Sequence, residues 1–199
     1  PVEVGRIVSA YFNDCLRFVS SSPPYRTTAV AGKCTSGGAN NEHKDGVGVG
    51  AAFDGPFYLS SVVRGNRQTI FVGDLFNHVV RAAIAANATA AWPTDLNVTT
   101  LAGIPRQSGS KDGKALGEAT FNGPVEFRMT SRGSTGFVSD SNNAALRKVS
   151  PLTFSADGVV SSSSAMVTTV ATGLTKILGL AFHPSHSTFD DDVVLFATV

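Results

Sequence analysis

The sequence predicts an all-β chain in which one unit of four antiparallel strands is repeated, twice in full and once in part at each end. Three observations predict it. The blocks TTLAG (99–103), KDG (111–113), FNGP (121–124) and FVSDSNNAALR (137–147) follow the same order as TTAVAG (27–32), KDG (44–46), FDGP (53–56) and FVGDLFNHVVR (71–81). Partial copies flank them, with IVSAYFNDCLR (7–17) matching the last block without a gap and VTTVATG (167–173) matching the first. The marker arginines Arg17, Arg81 and Arg147 lie about 65 residues apart, a spacing that points to a repeat architecture. Third, the chain has 20 glycines and recurrent short runs of Ser, Thr and Val, a composition suited to short strands joined by tight turns.

Each element can be placed from this frame. In the central unit, strands are expected over 125–130, 135–140, 144–149 and 166–172, with turns at Ser131-Arg132-Gly133 and at Asn142-Asn143 and a serine-rich insertion over 155–165. In the preceding unit the strands are 57–63, 69–74, 78–84 and 98–102. The insertion over 85–97 carries alanines that Pro93 would stop from forming more than one helical turn. Three strands of another unit come before, and two, over 176–182 and 193–197, come after. Four antiparallel strands followed by a crossing loop to the next four is the order of a β-propeller, with divisions at 1–32, 53–103, 121–173 and 174–199. About four blades or more are needed to close a ring. Pro1 falls inside a unit and no leader opens the chain, so the expectation is a mature or excised segment of a propeller of about six blades or more, completed by further segments, other copies or a partner.

The sequence resembles the NHL-repeat β-propellers. The carriers are Thr99 to Gly103, Asp112-Gly113, Phe121 to Pro124, Asp140, Asn143 and Leu146-Arg147-Lys148, and in the earlier unit Asp45-Gly46, Phe53 to Pro56, Asp74, Asn77-His78 and Val80-Arg81. Ala10 departs from the pattern, standing where Asp74 and Asp140 stand. The last unit, LGLAFHPSHSTFDDDVVLFATV, is instead similar to a blade opening of the sugar-dehydrogenase-like propellers. The motif residues have structural readings. Glycine lets the chain turn tightly into the first strand. Asp74 and Asn77 are placed to bond backbone amides in the inter-strand turn. Arg17, Arg81 and Arg147, at one strand position, are expected to pack their stems between blades and to pair at the rim.

Two cysteines, Cys15 and Cys34, flank Pro23-Pro24 almost symmetrically, which predicts a hairpin that brings them face to face; a disulfide there would contribute about 3 kcal/mol, and two free thiols are the alternative. The sequons at Asn87 and Asn97 also suit a secreted, luminal or cell-surface protein. Charged residues make up only 16% of the chain and the net charge is +1, so there is no electrostatic case for nucleic acid or an anionic membrane. No apolar run reaches the roughly 18 residues that span a bilayer.

Four histidines, His43, His78, His183 and His186, show no zinc-site helical spacing. His183 and His186 could ligate a metal from a turn, and Asp190, Asp191 and Asp192 could offer oxygens to calcium, but a polar turn and a solvated charged turn are the plainer readings. The repeated KDG loops at Asp45 and Asp112 read as a rim surface or as ordinary turns. No nucleophile set can be assembled from spacing. The expectation is therefore a non-catalytic interaction or scaffold module without a cofactor, binding a protein partner through long loops on a rigid frame. The rival, implied by the resemblance, is an NHL-like lyase or sugar-dehydrogenase-like enzyme with calcium or zinc in a central channel.

Overall fold

The computed structural model describes residues 5–35, 42–85, 95–130 and 133–182, and the backbone of 194–198. It is all-β, built from antiparallel sheets. The first sheet has the order β1-β2-β3, from β1 (Gly5–Ala10), β2 (Cys15–Ser20) and β3 (Thr27–Ala31). The second has the order β4-β8-β7-β6-β5, from β4 (Gly46–Val47), β5 (Pro56–Arg64), β6 (Arg67–Asp74), β7 (Val79–Ala85) and β8 (Leu96–Ala102). The third repeats it as β10-β11-β12-β15-β9: β9 (Gly113–Lys114), β10 (Pro124–Met129), β11 (Gly136–Asp140), β12 (Ala145–Ser150) and β15 (Met166–Ala171). A fourth pairs β16 (Ile177–Phe182) with β17 (Val194–Thr198).

The long strands lie within two residues of their expected limits. Two features were not anticipated. The KDG loops do not end as turns, because each contributes a two-residue strand, β4 or β9, that pairs with the outer strand of its sheet. The serine-rich stretch is not a plain loop either: β13 (Thr153–Phe154) and β14 (Val160–Ser161) form a small hairpin. That hairpin docks on the β5–β6 turn of the preceding sheet. Phe154 lies under the Arg64 guanidinium at 5.7 Å, and Asp157 pairs with Arg67 at 3.3 Å.

The sheets pack face to face in chain order. Leu16, Phe18 and Val30 of the first sheet meet Ile70, Val72, Leu96 and Val98 of the second. Phe71, Val80 and Leu101 of the second meet Phe127, Val138, Val149 and Val167 of the third, with Val160 of the small hairpin added. The Phe71 and Phe127 rings meet at a tilt of 49°, with centroids 4.7 Å apart. Phe137 and Leu146 of the third meet Ile177 and Leu180 of the fourth. The first strands β5, β10 and β16 touch in succession, and each first-to-second strand pairing in the two full sheets carries a bulge just after its proline. Among the described residues no helix is long and apolar enough to cross a membrane.

Candidate functional site

Two features stand out where the repeat's motif residues gather. The first is a buried clasp present in both full sheets. Arg81 of β7 is fully buried, with its guanidinium 5.1 Å above the Phe53 ring. Its Nη1 donates to Asp74 Oδ2 at 2.7 Å and to the Ala52 carbonyl at 3.0 Å; its Nη2 donates to Asp45 Oδ1 at 2.8 Å and to the Lys44 carbonyl at 2.9 Å. Asp45 accepts from the Thr100 amide and hydroxyl, each at 3.0 Å. Asp74 accepts from the Asp54 amide at 2.8 Å and from Asn77 at 3.0 Å. The third sheet repeats every contact. Arg147 reaches Asp140 at 2.8 Å, Asp112 at 2.7 Å and the carbonyls of Thr120 and Lys111, above the Phe121 ring. Thr169, Asn122 and Asn143 play the parts of Thr100, Asp54 and Asn77. All four motif blocks thus converge on one guanidinium.

This corrects two expectations. Arg81 and Arg147 are interior groups, not rim groups, and they pair within their own unit. The KDG aspartates are neither a free rim surface nor plain turns, since each bridges arginine and outer strand. A carboxylate buried beside a guanidinium needs such a partner, because an unpaired buried charge is strongly unfavourable. Burial pushes the Asp74 carboxyl up to about 6, against the opposing pull of Arg81, the Asp54 amide and Asn77. Burial likewise raises Asp140. For Asp112, partial burial pushes up, but the Thr169 amide and hydroxyl together with Arg147 outweigh it and hold the carboxyl low.

The first sheet is built differently. Ala10 stands in place of Asp74, and Ala29 faces Arg17 across the ladder where Thr100 faces Arg81. Among the described residues Arg17 meets the Thr27 hydroxyl at 2.8 Å and Cys34 Sγ at 3.5 Å. A disulfide joins Cys15 to Cys34, so a covalent tie holds the strand start that the ionic clasp holds elsewhere.

Neighbouring units are also stitched at a repeated point. Asp14, His78 and Ala144 take the left-handed backbone conformation at φ 53°, 57° and 49°, one residue before the third strand of their units. Asp14 Oδ1 accepts from the Gly55 amide at 2.8 Å, and His78 Nδ1 accepts from the Gly123 amide at 3.2 Å. Burial holds the His78 pKa below its usual value, which keeps Nδ1 free to accept. Gly55 and Gly123 are the glycines of the F-x-G-P turns, at φ 69° and 66°.

The second feature is an aromatic cluster at the end of the first two sheets. Tyr11 lies 4.7 Å from Phe12, 5.0 Å from Phe57 and 6.1 Å from Phe76, and Phe57 lies 5.2 Å from Tyr58. Phe12 is 77% exposed, Phe76 50% and Tyr58 45%. Gly55 lets the rings close over the turn, since a Cβ there would come within 2.7 Å of Phe76 and 3.1 Å of Tyr11. Burial, and then the nearby Asp54 and Asp14 carboxylates, push the Tyr11 hydroxyl up. The repeat does not require these rings, because the third unit places Ser141, Asn142, Val125 and Glu126 at the same positions. No signal in the sequence flagged them, since they sit in two turns and at the start of β5, which only the fold brings together.

Asn97 is exposed on β8, with Thr99 exposed two residues on. Asn87, His183, His186, Asp190, Asp191 and Asp192 lie outside the described residues. Among the described residues, no group of three or more His, Cys, Asp or Glu is arranged to hold a metal ion.

No family model matches the chain, and no curated protein matches it. Among solved structures it is similar to an auxiliary nutrient binding protein from Bacteroides thetaiotaomicron VPI-5482, at 20% identity and a TM-score of 0.53, over 67% of this chain and 32% of that one. It is also similar to an auxiliary nutrient binding protein from Bacteroides ovatus ATCC 8483, at 20% identity and a TM-score of 0.54, over 83% of this chain and 35% of that one. The likeness is one of all-β fold. The chain spans about a third of the length of these two proteins.

Proposed function

We propose that the chain forms part of a β-propeller, with blades at 53–103 and 121–173 and partial blades at 1–32 and 174–199, and that it serves as a non-catalytic binding module outside the cytosol. The face-to-face stacking of sheets through β5, β10 and β16 supports the propeller reading. The observation that carries the binding role is the aromatic cluster of Tyr11, Phe12, Tyr58 and Phe76. Exposed rings held by a rigid frame give contact area at small entropic cost and are common anchors of interfaces. The names of the two similar structures agree with a binding role. The disulfide and the exposed Asn97 sequon support a secreted, luminal or periplasmic setting, with Asn97 and Asn87 as glycan acceptors where the compartment allows. Catalysis at the matched strand ends is disfavoured because Asp74 and Asp140 are committed to Arg81 and Arg147.

The test replaces Phe12 and Phe76 with Asn, the residue the third unit carries at that place. Calorimetric titration with a panel of proteins and oligosaccharides from the same compartment should show a ligand whose binding falls at least tenfold in the double variant, with Tm unchanged. A ligand bound equally well by both forms would move the site elsewhere.

A further inference from the structure

Taking the ring cluster as the binding site, we propose that the junction of the first two units receives an alkylammonium group, held between the rings of Tyr11 and Phe76 and the carboxylates of Asp14 and Asp54. The Asp54 side chain is what calls for a ligand. Asp54 is 5% exposed, and its Oδ1 is shielded from solvent without a hydrogen-bond partner. Its backbone is engaged, with the amide donating to Asp74 Oδ1 at 2.8 Å and the carbonyl accepting from the Phe76 amide at 3.0 Å. A buried carboxylate oxygen left unmatched is costly. Asp14, 1% exposed, brings a second carboxylate to the same turn, where its Oδ1 accepts from the Gly55 amide at 2.8 Å. Burial and then the Asp14 charge push the Asp54 carboxyl up, against the pull of the exposed Arg106. An added cation would offset both.

The rings stand over the same turn. Gly55 follows Asp54, and the place of its missing Cβ lies 2.7 Å from Phe76 and 3.1 Å from Tyr11. The Tyr11 and Phe76 centroids are 6.1 Å apart, with the planes tilted by 40°. Phe76 is exposed although sheets lie on both sides of its own. The Tyr11 hydroxyl is raised first by burial and then by Asp54 and Asp14, so ring and charges share one place. An ammonium suits this pairing, because ring faces attract a cation and carboxylate oxygens accept its N–H groups.

The next junction has the same backbone and none of this chemistry. Gly123 stands there for Gly55, with Asn142 2.6 Å and Leu75 3.4 Å from the place of its Cβ, and His78 accepts from its amide. Leu75, Asn142, Asn122 and His78 thus replace Tyr11, Phe76, Asp54 and Asp14. Asn122 donates its amide to Asp140 just as Asp54 does to Asp74, so the turn itself needs no carboxylate. Two rings and two acids occur together at one junction and are absent together from the other, as a ligand site requires and the repeat does not.

The test uses the full 199-residue chain at pH 7 and follows backbone amide shifts during titration with n-butylamine, which is protonated there, and with 1-butanol, its neutral match. Saturable shifts at Tyr11, Gly55 and Phe76 are expected with the ammonium, and binding of the alcohol should be at least tenfold weaker. Asp54→Asn, which installs the residue the third unit carries, should weaken ammonium binding at least tenfold without lowering Tm. The comparison with the alcohol on the unaltered chain reads the charge even if that variant folds poorly.

A parallel titration with N-acetyl-lysine methylamide separates the sources of the group. Affinity equal to that of butylammonium identifies a lysine side chain of a protein partner, and markedly weaker affinity identifies a free amine. Equal binding of alcohol and ammonium, an Asp54→Asn variant that binds as the parent does, or no saturable shift around Gly55 would overturn the proposal. The binding role of the rings falls separately, if the Phe12→Asn, Phe76→Asn double variant binds its ligand as the parent does.

Discussion

At the residue scale each of the two full units places one arginine, Arg81 or Arg147, between two aspartates. Removing the arginine strands a carboxylate in the interior, so Arg81→Leu should cost roughly 3–5 kcal/mol. Arg17→Leu, where no carboxylate is orphaned, should cost about 1 kcal/mol or less. Urea denaturation of the two variants decides this, and equal losses would contradict the clasp. His78 adds a pH dependence. Its folded pKa lies below the usual value, so its contribution is present above about pH 6.5 and is lost as pH falls through the folded pKa. His78→Asn keeps a residue that tolerates left-handed backbone and can accept from Gly123. It should resist the loss between pH 7 and 5 that the parent chain shows; parallel stability curves for the two forms would remove His78 from the junction. The motif residues were legible because they recur at fixed places. Their roles were not, because Asp45, Phe53, Asp74, Arg81 and Thr100 come from separate stretches and only the closed sheet brings them together.

At the element scale the strands were legible because turn glycines, asparagines and prolines bound each apolar run. β4 and β9 were missed because Lys-Asp-Gly reads locally as a turn, and what makes it a strand is an outer strand some fifty residues away in sequence. The β13–β14 hairpin was missed because serine has little strand preference, and docking against Arg64 and Arg67 supplies what propensity lacks. Gly158, at φ 87°, is the tip of that hairpin, and a Cβ there would collide with the Arg64 carbonyl. Gly158→Ala should therefore cost about 1–3 kcal/mol and loosen amide protection in both β13–β14 and the β5–β6 turn. A neutral effect would mean the hairpin does not brace the neighbouring sheet.

At the scale of the whole molecule, the first sheet has exchanged the ionic clasp for a disulfide. Cys15→Ser with Cys34→Ser should remove about 3 kcal/mol and unlock the first sheet ahead of the second and third. Uniform loss of exchange protection across all sheets would show the tie to be global instead. The sequence made the repeat visible but could not show which end of the sheets is dressed with aromatic rings, since Tyr11-Phe12 and Phe76 meet only when successive units stack. The central claim is that the sheets fan around a common axis through their first strands. Spin-label distances test it most directly, and the chain suits them because among the described residues no cysteine is free. One pair of labels goes on the outer strands at Thr99 and Thr168, and another on the first strands at Ser60 and Arg128. A fan predicts an outer separation roughly twice the inner one, which starts from the packing distance of about 10 Å between stacked sheets. Equal separations at both places would mean a flat stack of sheets and would contradict the propeller.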